Sequence, residues 1–255
     1  MKALDKKLKE LQEQKQTIIV PYIMAGAQGL DQLAEEIHLL EKAGASAIEL
    51  GIPFSDPVAD GPVIQAAGLD ALNQGVTLEK IIAVLQTIET DIPLVIMSYL
   101  NPLYSFGLER LVSELGKTPV KGLIIPDMPY EHRGYLTPLL EQTDISLVPL
   151  VALTTPRDRI KLLAEEGEGF IYAVAVNGVT GTGRQYQEEL DEHLKYIQQV
   201  SDKPVLAGFG VSTVEHVTRF RESCAGVVVG SKIVKLLKDG ENEEVAAFVK
   251  EVAAV

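Results

Sequence analysis

Residues Ile48 to Gly61 read IELGIPFSDPVADG and place two carboxylates, Glu49 and Asp60, at opposite ends of one short stretch. Two carboxyl groups brought to one mouth can divide acid and base work, provided their surroundings hold them in different protonation states. Glu49 stands near the end of an apolar run, Ala45, Ala47, Ile48 and Leu50, with the character of a buried strand. Asp60 precedes Gly61, Pro62 and a helical pattern through Val63, Ile64, Ala67 and Ala71. The same residues admit a plainer reading, in which Glu49 is a solvated strand end and Asp60 an N-terminal helix cap.

A second constellation is made of glycines. Gly178-Val179-Thr180-Gly181, Gly208-Phe209-Gly210 and Gly230-Ser231 each follow an apolar run, and Ser231 opens a helical pattern. Glycine lets a backbone approach an oxyanion closely, and a helix N-terminus adds unpaired N–H donors, so the three clusters together suit a phosphate. Any one of them alone reads as a turn before it reads as a site. Asp127, in IIPDMPYEH, is a third carboxylate near a run's end and also an ordinary Asp-x-Pro turn signal. Tyr172 lies within an apolar run, where strand alternation decides between a phenol aimed at a ligand and a core ring. The four histidines show neither i,i+4 pairing nor a cluster with Cys or carboxylates, so no metal site is expected. No lysine ends a strand core to form an imine; Lys232 follows Ser231 into a helix and reads as solvated.

The elements that must position these groups are eight apolar runs: TIIVPYIM, ASAIEL, PLVIMSY, GLIIPD, SLVPLVA, GFIYAVAV, PVLAGF and AGVVVGS. Continuous apolarity suits parallel strands buried on both faces, and helical patterns lie between them. The spacing predicts a (β/α)₈ barrel, with a doubly wound open sheet as the other α/β solution. The second gap is longer because it holds an additional helical pattern, Leu78 to Ile88. Leu4, Leu8 and Leu11 share one face of an N-terminal helix placed to plug the barrel's lower end, and Glu243 to Val255 reads as a final packing helix. In such a barrel the reacting groups belong at the C-terminal ends of the strands, which collects the same short list, with Asn101 and Pro102 after the third run.

At 255 residues and 46% hydrophobic content the chain is read as one domain, residues 1–255, with no Pro/Gly/Ser-rich linker. A net charge of −13 argues against nucleic acid and against an anionic membrane as partners. No apolar run reaches the roughly 20 residues of a membrane helix. The single cysteine, Cys224, beside the run Ala225 to Val229, reads as a buried structural thiol, and a cytoplasmic location is expected.

Taken together, IELGIPFSDPVADGP, YLNPLYSFG, IIPDMPYEH, GVTG, GFGVST and GSKIV resemble, in order and at its intervals, the tryptophan synthase alpha subunit family over nearly the whole chain. That resemblance implies a (β/α)₈ barrel that splits indole-3-glycerol phosphate into indole and glyceraldehyde 3-phosphate. It further implies no cofactor in this chain, and transfer of indole to a pyridoxal-phosphate-dependent beta subunit in an alpha2beta2 heterotetramer. By position, Glu49 matches the family's catalytic glutamate and Asp60 the aspartate that meets the indole nitrogen. Gly181, Gly210, Gly230 and Ser231 match its phosphate site, with Gly178 and Thr180 in a closing loop. Tyr172 matches a tyrosine near the substrate; Tyr22, Ile64, Leu100, Asp127 and Phe209 fall where the family lines or supports its indole pocket. Pro53, Asp56, Pro57 and Asn101 match positions facing the beta subunit. The chain departs from the family after GVTG, where TGRQYQEEL displaces Arg184 from the arginine's usual place. Three other readings are a free-standing indole-releasing lyase, a sugar-phosphate isomerase barrel, and a silent chain that only activates its partner.

Overall fold

A computed structural model describes residues 1–174, 184–208 and 210–255, with the backbone alone for 184–187. Among them are nine strands: β1 Ile18–Met24, β2 Ile48–Gly51, β3 Leu94–Met97, β4 Val120–Ile124, β5 Ser146–Leu147, β6 Leu150–Ala152, β7 Ile171–Val174, β8 Val205–Gly208 and β9 Gly226–Val229. All pairings are parallel, in the order β5-β4-β3-β2-β1-β9-β8-β7-β6. Sequential neighbours thus pair around a ring, as a barrel requires and a doubly wound sheet does not.

The eight runs become nine strands because SLVPLVA is split. Pro149 has no N–H to give, and a proline interrupts a ladder wherever its donor would be needed. The segment still closes the barrel. Val148 N donates to Leu123 O at 2.9 Å on one side, and Pro149 O accepts from Tyr172 N at 3.0 Å on the other. The two halves of one stave therefore face different neighbours, β5 pairing with β4 and β6 with β7.

Alternation sorts the side chains into two cores. Ile48 and Leu50 of β2 face the surrounding helices, while Ala47 joins Ile18, Val20, Val95, Ile124, Val148, Phe170, Leu206, Ala225 and Val228 inside the barrel. Leu4 and Leu8 of the helix Ala3–Glu13 complete that inner cluster, both fully buried, and Leu11 packs against it. The expected plug is therefore present. It is pinned by polar contacts: Asp5 accepts from Ser146 Oγ at 2.6 Å and from Gly169 N at 2.9 Å. Lys2 pairs with Glu168 at 2.8 Å, and Glu168 in turn accepts from Leu147 N at 2.9 Å.

Two helices separate β2 from β3. Pro62–Asn73 starts on an extended Gly61 with Pro at its first turn, and Leu78–Leu85 starts on Thr77, whose hydroxyl accepts from Lys80 N. The connection from β4 to β5 is different: a 3₁₀ turn, Tyr130–Tyr135, and one short helix, Thr137–Leu140, stand where a full helix was expected. The last helix spans Asn242–Ala253. No helix among the described residues is long and apolar enough to cross a membrane.

Candidate active site

Glu49 is the inward residue above Ala47 on β2, and the register sets it between Tyr22 of β1 and Val95 of β3. It is 1% exposed. Among the described residues neither carboxylate oxygen has a hydrogen-bond partner. Burial, reinforced by the charge of Asp60, lifts its carboxyl to about 8; the Tyr172 phenol nearby favours the ionised form, but stops short of a well-formed hydrogen bond and offsets little. The solvated strand end is thereby excluded. At neutral pH this group holds a proton, and among the described residues no hydrogen bond engages it.

Asp60 reaches the same space from the loop after β2. Its Oδ2 accepts from Tyr99 Oη at 3.1 Å, and Tyr99 Oη accepts from Ala59 N at 2.9 Å. Burial raises its pKa and the Tyr99 bond lowers it. Its side chain does not cap the following helix, whose N-cap is Gly61. Tyr99 itself is 3% exposed, with its ring 5.3 Å from that of Phe54. It clamps the loop that carries Asp60 to the end of β3.

Tyr22 and Tyr172 complete the inner wall. Burial, and then the charges of Glu49 and Asp60, hold both phenols well above their ordinary pKa, so both remain neutral hydrogen-bonding groups. Phe170 lies in the inner core and Tyr172 follows it by two residues, so alternation turns Tyr172 inward. Two glycines make room: a Cβ on Gly51 would overlap the Tyr22 hydroxyl, and one on Gly208 would overlap the Tyr172 ring. Tyr22 and Ile64 share a small apolar cluster with Met24, Ala67 and Val234, against which Met97 packs. That cluster sets an apolar wall beside Glu49, which is Tyr22's neighbour across the strands.

Other expected positions fall less centrally. Leu100 is half-buried against the helix-side core rather than with Tyr22 and Ile64. Asp127 is exposed and its Oδ1 accepts from Leu100 N at 2.8 Å, which ties the ends of β3 and β4 together. Of the glycine clusters expected to suit a phosphate, Gly210 has φ +61° with open space where a Cβ would stand, and Gly230 precedes the helix Ser231–Lys238, with Ser231 exposed at its first position. Gly178, Thr180, Gly181 and Phe209 lie outside the described residues, as does the side chain of Arg184. Of the four positions expected from the sequence to face a partner, Asp56 and Asn101 are exposed, Pro57 is half-buried and Pro53 is buried. Val58 and Tyr104 stand out beside them, 79% and 64% exposed.

Sequence reasoning passed over Tyr99 and Met97. Both continue the inward alternation of Val95 along β3, a signal visible in LVIMSY once Val95 is placed inside. Cys224 is buried, as expected, and burial pushes its thiol up to about 11. Lys232 is half-buried over the Phe248 ring, 4.7 Å from its centroid, rather than solvated. Among the described residues no three His, Cys, Asp or Glu side chains converge as a metal would require.

Residues 8–255 match the family model described as tryptophan synthase alpha chain. The chain is 53% identical over 247 residues to the tryptophan synthase alpha chain of Listeria innocua, covering 97% of this chain and 96% of that one. It is 56% identical over 250 residues to that of Streptococcus thermophilus, covering 97% and 96%. Among solved structures it superposes on tryptophan synthase subunit alpha of Legionella pneumophila with a TM-score of 0.90 at 26% identity, covering 100% of this chain and 98% of that one. It also superposes on a chain of the tryptophan synthase a2b2 complex of Pyrococcus furiosus with a TM-score of 0.86 at 31% identity, covering 94% and 99%.

Proposed function

Because the chain belongs to the tryptophan synthase alpha chain family, we propose that it cleaves indole-3-glycerol phosphate to indole and glyceraldehyde 3-phosphate, with Glu49 as acid and then base and Asp60 holding the indole nitrogen. The observation that carries these roles is the buried, unpartnered Glu49 carboxyl, which shares the mouth with a second carboxylate of a different environment.

The reaction is a retro-aldol step. Glu49, protonated at neutral pH, gives its proton to indole C3, which moves positive charge onto the ring nitrogen. Asp60 accepts the ring N–H and stabilises that charge in a site sheltered from water. The bond from C3 to the glycerol carbon then breaks, its electron pair returns to the ring, and the neighbouring hydroxyl becomes the aldehyde. The hydroxyl proton passes to the Glu49 carboxylate, which restores the starting acid. Tyr22 and Ile64 supply the wall for the indole, and Tyr172 places a neutral phenol beside Glu49. Gly210, Gly230 and Ser231, with Gly178, Thr180 and Gly181 in the closing loop, are assigned to the phosphate; Phe209, Leu100 and Asp127 support the pocket.

The product indole passes to a beta subunit in an alpha2beta2 assembly, and pyridoxal phosphate belongs to that partner. Asp56, Pro57 and Asn101, with the protruding Val58 and Tyr104, form the docking face, and buried Pro53 shapes it from beneath. A buried, single cysteine fits a reducing cytoplasm. The deciding experiment is indole release from indole-3-glycerol phosphate by the purified chain, with and without a cognate beta subunit. Slow release that rises strongly with the partner is the expected result. No release in either condition would overturn the reading.

A further inference from the structure

The helix Leu33–Lys42 turns one stripe, Leu33, Glu36, Ile37 and Leu40, inward. The spacing is that of a core face, and three of the four residues are aliphatic. Glu36 is the exception. It is only 8% exposed, and among the described residues its carboxylate makes no hydrogen bond and no ion pair; its oxygens, unlike those of Glu49, are not sealed from solvent but open on a cleft. A charge so placed is costly unless something neutralises it.

Glu36 lines a cleft of about 630 Å³ between this helix and the turn joining Ser231–Lys238 to Asn242–Ala253. That volume lies within the range of small-molecule sites. Leu39 and Leu237 give it apolar walls, while Gln28, Gln32 and Asn242 bring neutral amides. The Gln32 amide nitrogen already donates to Asp31 at 3.1 Å, which leaves its carbonyl oxygen to accept. Lys238 is held by Asp70 at 2.7 Å, so the remaining charges are Glu35 and Glu36 against Lys42.

We propose that this cleft binds a small organic monocation, whose primary ammonium group pairs with the Glu36 carboxylate and whose short carbon body lies against Leu39 and Leu237. An ammonium brings three donors, enough to serve the carboxylate and a side-chain carbonyl together. A dication would leave its second charge facing Lys42. The inference is independent of the lyase reading, since none of these residues is assigned there to the substrate, the phosphate or the partner.

The test is calorimetric titration of the full chain at pH 8 with butylammonium, and with 1-butanol as its neutral counterpart. Butylammonium should bind, 1-butanol should not, and Glu36→Gln should weaken butylammonium by roughly ten-fold or more. Equal affinity in the variant, or no binding of butylammonium to the unaltered chain, would overturn the proposal. A second measurement stands if the variant fails to fold: the thermal shift given by butylammonium should shrink from pH 8 to pH 5, because burial sets the Glu36 carboxyl at about 7 and protonation removes its charge. His38 also lines the cleft and meets Glu89 O at 3.1 Å; a pH effect that persists in a folded Glu36→Gln chain would count against Glu36.

Discussion

The two ends of the barrel use the same residue types to opposite effect. At the lower end the carboxylates of Asp5 and Glu168 are satisfied, each accepting from a backbone N–H and from a side chain. They hold the plug helix to the strand starts. At the upper end Glu49 is more deeply buried than either and has no hydrogen bond among the described residues. A buried polar group left without partners lowers stability. Between Glu49 and the two lower carboxylates the difference is deeper burial together with unmet hydrogen-bonding capacity.

The largest break in that contrast should come from Glu49→Gln. Indole release should fall by about 10³-fold, within the range for loss of a general acid and base, while the folded state gains stability at high pH. The sign follows from a folded pKa of about 8 against the ordinary 4.5. The folded state holds a proton that the unfolded chain has lost, so the stability of the unaltered protein declines as pH rises from 4.5 to 8. Urea melts should thus show the variant ahead by on the order of 2–4 kcal/mol at pH 8.5 and level with the parent at pH 4. Parallel curves at all pH values would sink the assignment of a buried acid.

Asp60→Asn comes next. Losing a full charge opposite the developing cation should reduce kcat by about 10²-fold with little change in KM; a rise in KM alone would reassign Asp60 to binding. At the other end, Asp5→Ala should leave turnover per folded molecule unchanged and remove about 2 kcal/mol of stability, since two donors lose their acceptor. Any change in kcat there would erase the division between the ends. The smallest effect belongs to Tyr99→Phe. One hydrogen bond of about 1 kcal/mol corresponds to about five-fold in kcat, and because the Tyr99 bond lowers the Asp60 pKa, its loss should move the acidic limb of the pH profile upward. A limb that stays in place would show that Tyr99 only packs.

The sequence carried much of this. Eight apolar runs located the strands, the leucine spacing located the plug, and the distance from Glu49 to Asp60 located the pair, because alternation and helical periodicity are local properties of the chain. Three features escaped. Pro149 sat in plain view, but its run is apolar throughout, and continuous apolarity hides a break that only the hydrogen-bond donors reveal. Tyr99 was hidden because whether a strand residue faces in or out depends on which of its neighbours fills the barrel, a tertiary fact. Leu100 drew the attention that its neighbour merited. Glu36 reads as a helix surface residue, and only the packing of the final two helices makes it otherwise.

The split stave has a consequence for how the wall comes apart. Strands β1 to β5 pair consecutively, as do β6 to β9, so the barrel is two half-sheets meeting at two joints. The joint between β1 and β9 is a ladder of four residue pairs. The other is the stave split at Pro149, continuous along the chain, where Val148 and Pro149 add one hydrogen bond to each side and the ladder to β4 holds two residue pairs. The joints are unequal, and thermal opening of the ring should begin at the weaker one, with amides around residue 148 exchanging with solvent before those of β1. The barrel behaves as a hoop with a clasp, and the clasp lies three staves along the ring from the strand that carries Glu49.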